Sequence, residues 1–270
     1  PPRSTLFPYT TLFRSARRAG LPWAGIGLGA DGLTTNRGRS QVRRTLVGHT
    51  AIAVRDEASA DALKALGVER IVRTADLAFL AEVPQVSGDG VLGVCLRTPQ
   101  SGRFRPGALD HAHRWPDGRA DAMATALDET ARATGLTVRF LAFDARSDGV
   151  VHRQVAERMA TAAEVVEPEL DGLVAALARV DAMATMRYHG AVLAALGGAG
   201  VVALPFSPKL RSIADDLGPG ATVLDEADTG LPAAVTSVLE HRHHLADHVE
   251  RLRILAGRNV EVLDELLEAS

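Results

Sequence analysis

Apolar residues in this chain fall into short runs separated by longer stretches of helical periodicity. The runs of strand length are Trp23 to Gly29, Ala51 to Val54, Ile71-Val72, Val91 to Leu96, Val138 to Phe143, Val165-Val166, Ala182 to Met186, Val201 to Leu204 and Thr222 to Leu224. Helices are predicted between them. One spans about Gly38 to Gly48, and one runs from Arg55 to Leu66 and stops at Gly67. Another spans about Asp121 to Thr134, with Met123, Leu127 and Ala131 on one face and Gly135 as its stop. Further helices carry Val151, Val155 and Met159, then Leu173 and Leu177, then the Ala/Leu-rich stretch after His189, and then the segment from Lys209 to Leu217. The chain from Leu231 to Leu267 reads as helical. Strands alternating with helices give a doubly wound parallel sheet, an α/β fold.

The pattern is interrupted at Glu82 to Gly90, a Pro/Gly/Ser-containing linker and the best domain boundary. Residues 16–86 are predicted to be the C-terminal part of a first Rossmann-like domain, and 87–270 a second one with C-terminal helices. Residues 1–15 stand apart. They contain no acidic residue and almost no alanine, are rich in Thr, Phe and Pro, and resemble translated sequencing-adapter read-through. They are set aside as non-native and expected to pack against nothing, which makes the first domain a truncated one. Gly25-Ile26-Gly27-Leu28-Gly29 suggests a dinucleotide loop but lacks the third glycine at the required offset. Close backbone approach at a strand end explains it as well.

Candidate chemistry concentrates between Met186 and Lys209. Arg187-Tyr188-His189 leaves one predicted strand, and Ser207-Pro208-Lys209 follows the next. Ligands of open parallel sheets bind beyond the carboxyl ends of the strands, where the following helices present free N–H groups and a positive dipole end. Arg187, His189, Lys209 and Ser207 there suit a phosphate or carboxylate. The chain has 30 Lys+Arg, and only Lys64 and Lys209 are lysines, so Lys209 stands out as a compact ammonium in an arginine-rich chain. Arg97 leaves the strand that starts at Val91, and Asp144 follows Phe143. Arg55 leaves the strand Ala51 to Val54. Five of them have a structural alternative: a helix-start Lys209, a capping Arg187 or His189, an Arg55–Asp56 pair, a loop-capping Asp144.

Arg187-Tyr188-His189, the small-residue helix, Ser207-Pro208-Lys209, Ile213-Ala214 and Leu217-Gly218 resemble the C-terminal signature of the polysaccharide pyruvyl transferase family. Val54-Arg55-Asp56 with Ser59, Leu66-Gly67-Val68 and Ala75-Asp76 with Ala78-Phe79 resemble the end of that family's first domain. The resemblance implies a GT-B-like, two-domain fold whose last helix, here Val260 to Leu267, crosses back to the first domain. It also implies transfer of a pyruvyl group from phosphoenolpyruvate to a sugar as a ketal, with the basic residues of the two loops at the phosphoenolpyruvate. His189 then suits the proton traffic, Arg187 and Lys209 the departing phosphate, Arg97 the carboxylate, and Asp144 the acceptor hydroxyls. The donor is a substrate, and neither a cofactor nor a metal is required. The acceptor is a sugar, free or lipid-linked. A nucleotide-sugar GT-B glycosyltransferase and an inactive or anion-binding fragment stay open beside this reading.

The net charge of −3 gives no basic footprint for nucleic acid. Cys95 is the single cysteine and lies in an apolar run, so no internal disulfide can form and a buried, inert thiol is expected. No apolar stretch has the length of a membrane span. A cytoplasmic location is expected, with attachment to the inner face of the membrane as an option. His241, His244 and His248 could share a helix face, but no carboxylate or cysteine completes a metal motif. His111 and His113 suggest no site.

Overall fold

A computed structural model describes residues 15–16, 18–21, 23–30, 33, 35–47, 51–85, 88–98, 114–204, 208–225 and 229–268. Residues 1–14 of the set-aside tail, His111, His113 and Ser207 lie outside the described residues. Ser15 opens a helical turn, its carbonyl accepting the Ala19 N–H at 2.9 Å. The backbone forms two units. One holds the described residues through Leu80 together with those from Arg251 onward, and the other is Ala81–Glu250.

The first unit is built on three parallel strands in the order β1 (Ala24–Leu28), β2 (Ala51–Val54), β3 (Ile71–Arg73). Helices α1 (Asn36–Leu46) and α2 (Glu57–Lys64) accompany them. Ile52, Val54, Leu63, Val68 and Trp23 form the buried core. Asp56 caps α2 by accepting the Ser59 N–H at 2.6 Å, and the buried Ser59 hydroxyl accepts the Ala30 N–H at 2.8 Å. These two bonds give the Val54-Arg55-Asp56…Ser59 pattern a structural reason. The glycine-rich turn is likewise explained by close approach: Gly27, at φ 58°, donates its N–H to Asn259 Oδ1 at 2.8 Å. Asn259 is fully buried and also donates to the Ala75 carbonyl at 3.0 Å, so the C-terminal segment is stitched to the ends of β1 and β3.

The second unit carries a six-stranded, wholly parallel sheet in the order β6-β5-β4-β7-β8-β9. The strands are β4 (Val91–Cys95), β5 (Thr137–Leu141), β6 (Ala163–Val166), β7 (Ala182–Thr185), β8 (Gly200–Ala203) and β9 (Ala221–Val223). The intervening helices are α3 (Asp117–Thr134), α4 (Asp148–Ala156), α5 (Leu170–Leu177), α6 (Tyr188–Leu196), α7 (Pro208–Leu217) and α8 (Leu231–His241). β4, β7 and β8 are buried at every position, as expected for central strands covered on both faces. Phe140, Leu92, Leu127, Val202 and Val238 lie in one core cluster. Gly93 permits the close packing of β4 on β7, because a Cβ there would sit 2.7 Å from the Met183 sulfur.

Two boundaries differ from the sequence pattern. Helix α3 begins at Asp117, four residues before Asp121, because Pro116 holds an extended N-cap and Asp117 suits the positive first turn. The helical run from Leu231 is broken by a 3-10 turn at Arg242–His244 before α9 (Leu245–Glu268). The break seats buried Leu245 against Gly220, where a Cβ would lie 2.5 Å from Leu245 Cγ.

Candidate functional site

The chain builds β4, β5 and β6 outward in one direction, then returns to lay β7, β8 and β9 in the other. The switch point therefore lies between the carboxyl ends of β4 and β7, the place where such sheets bind ligands. Arg97 follows the end of β4 and Arg187 follows the end of β7.

The exit from β7 is set by Thr185. Its buried hydroxyl accepts the Arg187 N–H at 2.9 Å and donates to the Arg187 carbonyl at 3.1 Å. Gly190 must follow, since a Cβ there would lie 2.5 Å from the Thr185 hydroxyl. Arg187 is thus the N-cap of α6, without a side-chain cap bond of its own. Its guanidinium instead grips Asp148, the first residue of α4. Nη2 donates to Oδ1 at 2.6 Å and Nε to Oδ2 at 3.1 Å, and Ser147 Oγ lies 3.3 Å from Nη2. Burial works against this guanidinium, but the Asp148 carboxylate outweighs it and raises Arg187 above the ordinary arginine value.

Asp148 is completely buried and organises what surrounds it. Its Oδ2 accepts the Phe143 N–H at 3.2 Å and the Asp144 N–H at 3.0 Å, and the Cys95 sulfur lies 3.9 Å away. Burial and the Asp148 charge push the Cys95 thiol far up, so it stays protonated and is no nucleophile. Arg97 is lowered from the usual value, first by burial and then by the charge of Arg187, with Asp148 opposing. Asp144 accepts the Arg146 N–H at 3.2 Å and the Ser147 hydroxyl at 2.8 Å, and lies 3.9 Å from Arg187. Burial alone would raise its pKa, but the Ser147 hydroxyl, the Arg146 amide and Arg187 together hold it below the usual carboxylate range. One turn along α4, His152 is fully buried, and its Nε2 accepts the Leu96 N–H at 2.9 Å. Burial pushes this imidazole down to about 4.

The second group forms around Tyr188, which is 8% exposed. His189 is exposed and meets its ring edge-on at 5.5 Å between centroids. Lys209, on the first turn of α7, places Nζ 5.9 Å from the same ring. His189 and Lys209 therefore both meet the Tyr188 ring at the ends of β7 and β8, while the Arg187 guanidinium is turned to Asp148. Arg55 belongs to the other unit, where it pairs with Asp76 at 3.1 Å and Asp56 at 3.4 Å. The structural alternative, an Arg55–Asp56 helix-start pair, is present. Among the described residues no group of three or more His, Cys, Asp or Glu is arranged to hold a metal. The His243 and His244 rings meet tilted at 4.0 Å between centroids, and His241 Nδ1 lies 2.8 Å from the Ser237 carbonyl. No helix among the described residues is long and apolar enough to cross a membrane.

Asp148, His152 and Tyr188 are neighbours of these candidates that the sequence reading did not single out. Tyr188 could have been found from its place between two candidates. Asp148 could not, because its partner is 39 positions away and Ser147-Asp148-Gly149 reads as an ordinary polar turn.

Solved structures share this architecture. The chain is similar to a UDP-glucose:anthocyanidin 3-O-glucosyltransferase in complex with UDP, at 12% identity over 97% of this chain and 74% of that one, TM-score 0.59. It is similar to HepE of Anabaena in complex with UDP, at 13% identity over 96% of this chain and 75% of that one, TM-score 0.57. It is also similar to the UDP-GlcNAc 2-epimerase of Neisseria meningitidis bound to UDP-GlcNAc, at 12% identity over 96% and 72%, TM-score 0.60. At such identities the likeness speaks for the fold alone, a Rossmann-like GT-B fold. No curated protein matches the chain in sequence. The profile of the polysaccharide pyruvyl transferase family matches residues 2–208, a span that begins inside the stretch set aside above and ends one residue before Lys209.

Proposed function

Because the chain belongs to the polysaccharide pyruvyl transferase family, we propose that it moves the pyruvyl group of phosphoenolpyruvate onto two hydroxyls of one sugar, closing a ketal on a polysaccharide or its precursor. The observation that carries the reading is the meeting of His189 and Lys209 on the Tyr188 ring, next in the chain to Arg187, at two adjacent strand ends. The reaction adds a proton to the methylene carbon of the donor. Two sugar oxygens bond to the adjacent carbon, and the C–O bond to phosphate breaks. One hydroxyl proton ends on the new methyl group and the other leaves with phosphate. An exposed imidazole beside the donor suits that proton traffic, and His189 is assigned to it. Lys209 takes charge on the departing phosphate as a point cation, and Arg97 and Arg187 take the carboxylate or phosphate bidentately. Ser207 adds a hydroxyl to the Lys209 loop, and Asp144 orients acceptor hydroxyls. The acceptor is a cell-surface polysaccharide precursor, lipid-linked or free, met at the cytoplasmic face of the membrane.

The test is protection from heat. Phosphoenolpyruvate at millimolar concentration is expected to raise the melting temperature, and UDP-sugars are expected not to; the reverse would replace this reading by a nucleotide-sugar glycosyltransferase. Lys209→Ala is expected to weaken phosphoenolpyruvate binding by roughly 1.5–3 kcal/mol, the worth of a charge-assisted contact. His189→Ala is expected to lower turnover on the order of a hundredfold with little change in donor affinity. Full activity in both variants would sink the site assignment.

A further inference from the structure

Helix α4 presents Asp148 and His152 four residues apart, on one helical face. Both are completely buried. Asp148 holds the Arg187 guanidinium by two hydrogen bonds, at the end of β7. His152 accepts the Leu96 N–H, immediately before Arg97, at the end of β4. These are the two strand ends that frame the switch point. His152 is also held at a cost. With Nε2 accepting from Leu96, the neutral ring carries its proton on Nδ1, and Nδ1 has no hydrogen-bond partner among the described residues. A leucine would fill the space without that penalty but would orphan the buried Leu96 N–H instead. Polar groups kept inside a core at a cost are found where a site must be held in one geometry.

We propose that Asp148 and His152 are the positioning pair of the anion site: Asp148 fixes the direction of Arg187, and His152 fixes the strand end that carries Arg97. Neither touches the ligand. Both act through an arginine. The identity of the anion as phosphoenolpyruvate rests on the function proposed above; the positioning does not. A buried carboxylate with two hydrogen bonds to one guanidinium leaves that side chain a single orientation, so no ordering cost falls on ligand binding.

The test has two readouts on the full chain. The first needs no ligand. In a crystal structure of Asp148→Asn, the Arg187 guanidinium is expected to leave its place; a guanidinium found where it is now would overturn the proposal. The second is coupling, read as phosphoenolpyruvate affinity by calorimetry. Asp148→Asn is expected to weaken binding about tenfold or more, and in an Arg187→Ala background it should have no further effect. Additive losses would mean that Asp148 supports the fold in general and would refute the claim. For His152, glutamine can supply an oxygen to Leu96 where leucine cannot, so His152→Gln should keep affinity within about twofold while His152→Leu loses it. Equal losses in the two would overturn the His152 half. If Asp148→Asn does not fold, Asp148→Glu keeps the charge, moves it by one methylene and is read by the same two measurements. Failure of the wild-type chain to bind phosphoenolpyruvate would strike the ligand assignment alone, and the placement of Arg187 in the variant would still decide the positioning.

Discussion

Arg55 and Arg187 stand at corresponding places, each following a parallel strand and each gripped by aspartate at the start of a helix. Their neighbours make them different. Arg55, Arg73 and Lys64, three cations, share Asp56, Asp76, Glu57 and Asp61, four carboxylates. Asp56 and Asp76 have backbone duties as well, Asp56 capping α2 and Asp76 accepting the Ala78 N–H at 3.0 Å. At the switch point the balance reverses. Arg97 and Arg187, with Lys209 joined through Tyr188, face Asp144 and Asp148. Among these described residues three cations stand with two carboxylates, while in the first region four carboxylates stand with three cations. An arginine at a strand end is thus weak evidence of a binding site until the carboxylates around it are counted.

The comparison is broken most sharply by removing the aspartates. Asp148→Ala strips Arg187 of its two-point partner and leaves a half-buried cation, at a cost of about 3–5 kcal/mol. Asp56→Ala removes a helix cap and a long 3.4 Å contact while Arg55 keeps Asp76, so about 1–2 kcal/mol is expected. Urea denaturation of both variants checks the ratio. Equal losses would mean that the two regions are held alike.

A smaller effect separates the regions by pH. His152 titrates at about 4 because burial disfavours its charged form, with Asp148 pulling the other way and Arg187 and Arg153 adding to the depression. The unfolded ring takes its proton near 6.5, so between about pH 6.5 and 4 the unfolded state binds more protons and stability falls as pH falls. Above that window the group contributes no slope. The loss between pH 7 and pH 5 is on the order of 2 kcal/mol. Urea melts at these two pH values should show it in the wild type and not in His152→Gln. The lowered carboxylates Asp128 and Asp144 lose their contributions only as pH falls through their own, lower range.

What could be read from the residues divides along a physical line. Apolar runs declare strands because a central parallel strand is buried on both faces, and so β4, β7 and β8 were legible. The places of Arg187, His189 and Lys209 just beyond strand ends were legible because position relative to a strand end is a local property. Asp148 and His152 were not. Their roles depend on packing between α4 and two strand ends far away in sequence, and His152 sits among Val151 and Val155, which read as an ordinary apolar face. The break at Arg242–His244 was missed for the same reason: Gly220, not the local sequence, decides where Leu245 must go.

The smallest expected effect tests the first region from the other side. Gly29 lies under the Arg55 guanidinium, and a Cβ there would come within 2.6 Å of Nη2, 2.8 Å of Cζ and 2.9 Å of Nε. Those atoms end a flexible side chain, so Gly29→Ala need not move the backbone; it swings Arg55 away from Asp76 and Asp56. Losing a mostly buried pair costs about 1 kcal/mol or a little more, and the alanine returns about half of that by restricting the unfolded chain. The net loss should be about 0.5–1 kcal/mol, a shift of a few degrees at most in melting temperature. The informative number is the donor affinity measured alongside it. If Arg55 is spent on its own unit's carboxylates, phosphoenolpyruvate binding will be the same in Gly29→Ala and wild type, in contrast to the loss expected of Asp148→Asn. If affinity falls as far as it does in Asp148→Asn, Arg55 reaches the donor as Arg187 does, and the distinction between the two regions disappears.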